Sequence, residues 1–460
     1  MASSDRTSVT EQVADWIVHA RFDEIPEPAV LAVKERFVDT IGVQFAGMAV
    51  PTGQLLSDWV RAQGGRPESS VVASGYKTTA SLATLLNTAA GHALEYDDIA
   101  PFSGHYANPL TAAALAVGEK LGSSGADVIA AWLVGYEIIG QTAKPAQVPE
   151  GSSLLVRGWF NQGFQPVLGV AALAGRLLGL DVTQTRMALG IAAASMSGLI
   201  KNRASDAKSY TAGHAAMQGV AAAELAAIGF TGNPDILDGE LGVARLVGPE
   251  RGEAEQILDG LGTWTMAERP STMRLHASCG ASHWSQDAMQ QIVRRDAPDP
   301  GQIESIEVSI PAFLLQNVPY HEPRTGLEGK YSLEYCVAAV ALDGRAGLHS
   351  YTDAAVNRPE AQDLVGKVSY VPVDIVDRAS LNSRVAVTLR GGEVLEATAN
   401  SSHGAASDPL TRDELLAKFH ECAEGLVPAA QRDEVIDTCW RLDALPDVSE
   451  LAELIGLPRS

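Results

Sequence analysis

The sequence predicts a mainly α protein, in which a large all-helical domain built from both chain ends is interrupted by a smaller α+β domain. Three observations predict it. From Glu11 to about Asn233, apolar residues recur every three or four positions, the period of a helix face. After Arg269, short runs alternate apolar and polar, the period of a half-buried strand. From Asp408 the helical spacing returns. These shifts place the first helical part at residues 1–268, the α+β part at 269–405 and the helical return at 406–460.

Taken in order, Val13, Trp16, Ile17 and Ala20 open the helical pattern, and Val30, Val33, Phe37 and Ile41 carry it towards Gly47. Helices are expected over 80–93, 110–121, 125–140, 167–180, 183–199 and 212–228, all rich in Ala and Gly. Small side chains let helix axes approach closely, as a buried bundle requires. In the second part Ile306, Val308 and Ile310 alternate as a strand, and 384–398 reads as a hairpin turning at Gly391-Gly392. Helices expected over 283–294, 331–342 and 354–365 lie between them. That order reads as an α+β layer, not as alternating βαβ units. Thr411 with Glu414 three residues on has the spacing of a capping box at the start of the returning helices.

The chain has 460 residues, 46% hydrophobic and 20% charged, a globular composition long enough for two cores. Its 34 basic and 56 acidic side chains give a net charge of −22. That charge argues against nucleic acid and anionic membrane as partners, since phosphate binding needs a basic surface. An anionic substrate would need a local basic pocket. Cys279, Cys336, Cys422 and Cys439 are too few and scattered for a disulfide framework or a CxxC metal site, which fits a reducing compartment. Met1–Thr10 is polar, and no run reaches the ~18 apolar residues of a membrane span. A cytoplasmic protein is expected.

Three polar clusters interrupt the apolar pattern. The first runs from Gly91 through His92, Glu95, Asp97 and Asp98 to His105. A carboxylate beside an imidazole orients a general base. The same residues also suit a plainer arrangement, with Asp97 and Asp98 capping the next segment and His105 in a solvated loop. The second, Lys201 to Lys208, includes Arg203 and sets three cations between helices of an acidic chain. It suits a small carboxylate ligand, or is a solvated interhelical loop. The third, Arg274 to Trp284, holds His276, Cys279 and His283. It lacks a fourth ligand at a recognised spacing, so no metal site is expected. Tyr335 follows on a helix. No dinucleotide fingerprint, Walker loop or Gly-x-Ser-x-Gly elbow is present.

The segment from Asn87 to Asp98, with its His92-Ala93-Leu94-Glu95-Tyr96-Asp97-Asp98 core, resembles the MmgE/PrpD family. Further matches keep chain order: Gly125 to Glu137, Lys208 with Ala212-Gly213-His214, Gly229-Phe230-Thr231-Gly232, Ser332 to Tyr335, and Asp408-Pro409-Leu410-Thr411 with Lys418-Phe419. The resemblance implies a cofactor-free helical domain plus a smaller α+β domain, usually a homodimer, with a pocket between the domains. It also implies that Glu95, Asp98, His105, Lys208, His283 and Tyr335 line that pocket.

Some positions depart from the family pattern. Phe160 and Thr211 stand where dehydratase and decarboxylase members carry histidines, Arg274 replaces a lysine, His276-Ala277 replaces Tyr-Pro, and Ile99 follows the paired aspartates. The expected activity is that of a lyase, a dehydratase or decarboxylase, acting on a small carboxylic acid by acid/base chemistry next to a carboxylate. His105 would be base or acid, oriented by Asp98 or Glu95, with His283 opposite. Lys208 and Arg203 would hold carboxylates, Arg274 and Tyr335 would complete the polar ring, and Phe160 would form an apolar wall. An epimerase or isomerase, or a non-catalytic ligand-binding protein, are the other readings.

Overall fold

A computed structural model describes residues 7–146, 154, 157–248, 252–374 and 381–456. Of the polar stretch Met1–Thr10, residues 1–6 lie outside the described residues. The longer helices, in chain order, are α1 (Val9–His19), α2 (Glu27–Ala49), α3 (Pro51–Gln63), α4 (Ala80–His92), α5 (Ala107–Leu121) and α6 (Gly125–Ala143). There follow α7 (Gln165–Leu177), α8 (Val182–Ala193), α9 (Asp206–Ala227), α10 (His283–Asp296), α11 (Leu333–Asp343) and α12 (Pro359–Val365). The chain ends with α13 (Arg412–Ala423), α14 (Ala429–Trp440) and α15 (Ser449–Gly456). A two-residue hairpin, β1 (Ser69–Ser70) and β2 (Lys77–Thr78), precedes α4. Four further strands are β3 (Ile303–Pro311), β4 (Val368–Val373), β5 (Ser383–Leu389) and β6 (Val394–Ala399). Mainly α with a smaller α+β part is what the periodicity predicts. No helix among the described residues is long and apolar enough to cross a membrane.

The chain divides into two compact units: Met1–Ala93, Asp97–Ser271 and Leu415–Ser460 form one, Leu94–Tyr96 with Thr272–Glu414 the other. In the first, α9 packs against α4, α7 and α8, and α2 against α4. Close approach is what the small residues achieve. A Cβ at Gly47 would overlap the Ala90 carbonyl of α4, and one at Gly213 of α9 would overlap the Leu85 carbonyl. Two expected boundaries shift by more than a turn. The helix expected to reach 199 stops at Ala193, and Leu199 instead bridges Trp159 next to Gly198, whose φ of +105° no helix accommodates. The next helix begins earlier than expected, at Asp206 after the extended Ser205, so Lys208 sits in its first turn and not in a loop.

In the second unit the sheet order is β4-β3-β5-β6. Ile303, Ile306, Val308 and Ile310 bury one face of β3, and Val385 and Val387 of β5 lie opposite Val308 and Ile306. Helix α10 covers β5 and β6 and packs on α11. The sheet is an α+β layer without βαβ alternation, as expected, but it contains one parallel pairing that the sequence reading did not foresee: β4 pairs with β3 in parallel, after a helical crossover. Its signal is weak because β4 is a largely exposed edge strand containing Pro372, the position where a sheet tolerates proline. The single helix expected over 354–365 is broken, because Pro359 cannot continue it and biases Arg358 to extended backbone.

Candidate functional site

In the first unit the site is built where α4 ends and α5 begins. His92 is the last residue of α4 and 1% exposed, and its Nδ1 lies 2.7 Å from Asp97 Oδ2. An ionised carboxylate only accepts, so His92 Nδ1–H donates. Asp97, also 1% exposed, presents its other oxygen 3.7 Å from His105 Nδ1. The two imidazoles stand 5.0 Å apart, centroid to centroid, with Asp97 reaching both. His105 Nδ1 donates to the Asp98 carbonyl at 2.5 Å. That bond fixes the tautomer of neutral His105 and leaves the lone pair on Nε2. His105 is 16% exposed, so this ring alone of the three side chains has solvent access. The Phe160 ring lies 6.2 Å from that of His92, an apolar neighbour of the pair.

Asp98 does different work from its neighbour. Its Oδ1 accepts from Ala107 N at 3.0 Å and its Oδ2 from Tyr106 N at 3.4 Å, which caps the start of α5. Full burial, reinforced by the charge of Asp97, pushes its pKa up to about 7, against the opposing influence of Arg36 and the Ser271 hydroxyl. So the carboxylate of Asp98 holds the helix, while its carbonyl holds His105. Lys208 is buried in the first turn of α9, and Arg203 is half-buried just before it. Thr211, one turn on, donates its hydroxyl to the Ala207 carbonyl.

The second unit holds another polar cluster. Glu95 has φ +54°, in the left-handed region that a side chain rarely adopts. Its Oε2 accepts from Arg274 at 3.2 Å and its Oε1 from the Tyr331 hydroxyl at 2.8 Å. Arg274 is fully buried and also donates to the Ser278 carbonyl. Lys330 Nζ donates to the Leu94 carbonyl, and Tyr96 Oη to that of Leu275. His283 opens α10 and its Nε2 donates to the Ser278 carbonyl at 3.1 Å. His276 donates from Nε2 to Asp287, 3.0 Å away, and its ring meets that of His283 edge-on at 5.8 Å. Tyr335 is buried, which raises its pKa, and its hydroxyl donates to the Ser350 carbonyl.

Within the first unit, then, the structure gathers His105, the Asp98 carbonyl and Phe160 around His92 and Asp97. Within the second it gathers Glu95 with Arg274, and separately His283 with His276. Glu95 serves Arg274 and Tyr331, and Asp98 reaches His105 through its backbone. Three contributors carried no assigned chemical role in the sequence reading: His92, Tyr331, and Asp97, which figures there only as a cap. The spacing of His92 and Asp97 crosses a helix end, so no periodicity joins them, whereas Tyr331 meets Glu95 across 236 residues. The ligand atoms of His92, Asp97 and His105 lie within 4.8 Å of one another, a donor set able to hold a metal ion.

The chain is also similar to known proteins. The MmgE/PrpD N-terminal domain matches residues 11–255 and the MmgE/PrpD C-terminal domain residues 276–442. Cis-aconitate decarboxylase of Homo sapiens is 26% identical over 470 residues, covering 98% of this chain and 95% of that protein. The Mus musculus protein of the same name is 26% identical, covering 98% and 94%. The one from Aspergillus terreus is 25% identical, covering 99% and 97%. With its two domains matched in order along most of its length, the chain belongs to the MmgE/PrpD family.

Proposed function

We propose that the protein is a lyase that removes carbon dioxide or water from a small carboxylic acid, with His105 moving the proton. One observation carries this reading: a partly exposed imidazole is pinned through Nδ1 to the Asp98 carbonyl beside the carboxylate of Asp97, the arrangement that orients a general acid or base. In decarboxylation the C–C bond breaks, its electron pair passes to the carbon beside a remaining carboxylate, and imidazolium His105 returns a proton there. In dehydration neutral His105 takes the α-proton, and the hydroxyl leaves with a proton from a second acid. Asp97 is the positioning residue, and its charge favours the imidazolium. Lys208 and Arg203 carry the substrate's carboxylates. The full-length relatives named cis-aconitate decarboxylase favour carbon dioxide loss.

Phe160 and Thr211 give a specific reason to keep a second reading, epimerisation, which needs proton carriers but no acid for a leaving group. Incubation with di- and tricarboxylic acids in deuterated water separates the two. A lyase yields product lighter by carbon dioxide or water, and an epimerase yields unchanged mass apart from one deuteron. His105→Ala is expected to lower either turnover by roughly 10²–10⁴-fold. Undiminished turnover and exchange in that variant would refute the assignment.

A further inference from the structure

We propose that His92, Asp97 and His105 form a capture site for a borderline divalent transition metal, Zn²⁺ above all, and that occupancy stops proton transfer. The binding half stands on geometry alone, and the inhibitory half rests on the reading of His105 as proton carrier. Two imidazoles and one carboxylate are a donor set that zinc accepts, with a fourth position left for solvent or a ligand carboxylate. The three ligand atoms already lie within 4.8 Å of one another. Zinc bonds of about 2.0–2.2 Å set tetrahedral ligands roughly 3.4 Å apart, so the cluster must draw in by no more than about 1.4 Å at its widest.

His105 is the group able to make that movement. His92 and Asp97 are each 1% exposed and held to one another, whereas His105 is 16% exposed. It sits in the segment between α4 and α5, beside Ser103 with its left-handed φ of +68°. His105 is the one member of the three that solvent reaches, so a metal would meet it first. The net charge of −22 raises the local concentration of cations. Hard cations do not fit: Ca²⁺ takes six to eight oxygens and Mg²⁺ a near-octahedral oxygen shell, and this cluster offers one carboxylate. A metal on the imidazoles occupies the lone pairs that a proton would take, so the loaded protein cannot act as acid or base there.

The test is equilibrium dialysis and calorimetry of the full-length protein, after chelator treatment, with Zn²⁺ and with Mg²⁺, and visible absorption with Co²⁺. The expected result is one tight Zn²⁺ per chain, little Mg²⁺ binding, and a tetrahedral Co²⁺ spectrum. Zn²⁺ binding should weaken at least tenfold in His105→Asn and in Asp97→Asn, with thermal melts confirming that both variants fold. Cys279→Ser and His276→Asn should bind as the parent does. Equal Zn²⁺ binding by parent and both cluster variants would overturn the site, as would Mg²⁺ binding as tight as Zn²⁺. Turnover should fall on Zn²⁺ addition and recover with chelator, and full turnover by the Zn²⁺-loaded parent would overturn the inhibition. The two readings fail separately. An inactive His105→Asn with undiminished Zn²⁺ binding refutes the metal site, and an active His105→Asn that has lost Zn²⁺ refutes the proton carrier.

Discussion

Replacing Asp97 by Asn removes one negative charge from between two imidazoles while keeping the side chain's volume. Across the 3.7 Å from Asp97 to His105, at an effective dielectric near 20, a carboxylate steadies an imidazolium by about 4 kcal/mol. With the proton half transferred at the transition state, about 2 kcal/mol of that is felt, roughly a 30-fold fall in kcat. Substrate carboxylates are held elsewhere in the proposed scheme, by Lys208 and Arg203, so KM should change little. That split is what distinguishes a positioning residue from a purely structural one, whose loss lowers the amount of folded enzyme at constant kcat per active site. The assay is steady-state turnover of the acid identified by product mass, normalised to folded protein from a thermal melt. Asp97→Glu should recover part of the rate. A folded Asp97→Asn enzyme within threefold of the parent in kcat would refute the charge argument.

The neighbouring carboxylate should respond differently. Because burial lifts the pKa of Asp98 from 3.8 to about 7, the folded state favours its protonated form, and its contribution to stability is lost as pH rises through 7. Asp98→Asn should therefore gain on the parent between pH 4 and 8 in urea melts, by at most about 4 kcal/mol, whereas Asp98→Ala should lose about 1 kcal/mol of helix cap. His403 sits between Asp408 at 3.0 Å and Glu414 at 3.1 Å. Burial lowers its pKa, but the two carboxylates outweigh that and the net shift is upward. Its stabilisation is full below about 6.5, the ordinary histidine value, and fades as pH rises through the higher folded value. The deficit of His403→Gln in the same melts, about 1 kcal/mol for so exposed a cluster, should shrink in that direction. Lys418 and Asp39 form an ion pair with both side chains 1% exposed, 2.6 Å apart. Lys418→Met alone should cost about 3–5 kcal/mol by stranding a buried carboxylate, and adding Asp39→Leu should return most of it, read as the urea midpoint.

Helix content was legible because burying one face of a helix imposes a spacing that no strand shares, and the Thr411–Glu414 box forms as its spacing implies, Thr411 Oγ1 accepting from Glu414 N and Glu414 Oε2 from Thr411 N. Edge strand β4 was not legible, since an edge buries too little to impose alternation. At the site, an island of His and acid in an Ala/Gly-rich stretch stands out in one dimension. The pairing inside it does not. Which of Asp97 and Asp98 turns towards an imidazole depends on backbone torsions in the turn, among them the left-handed Glu95, and local composition has no bearing on those. The partnerships of Arg274 and Tyr331 with Glu95 close across 179 and 236 residues, beyond any motif's reach.

The behaviour of Glu95 also narrows where an anionic substrate can find positive charge. A non-glycine residue in the left-handed region costs about 1 kcal/mol or more, and such a residue persists where its surroundings hold it. Here both carboxylate oxygens are engaged, by Arg274 and by Tyr331. The fully buried guanidinium of Arg274 is thereby matched by a fixed negative charge, just as Lys418 is matched by Asp39. Cations neutralised in this way contribute little net field to a ligand. Lys208 stands in the first turn of a 22-residue helix, where backbone N–H groups and the helix dipole add positive potential to whatever its own contacts leave. Under the proposed function, Lys208→Met should raise KM far more than Arg274→Lys does. The reverse order would mean that the Glu95–Arg274 pair opens to bind substrate.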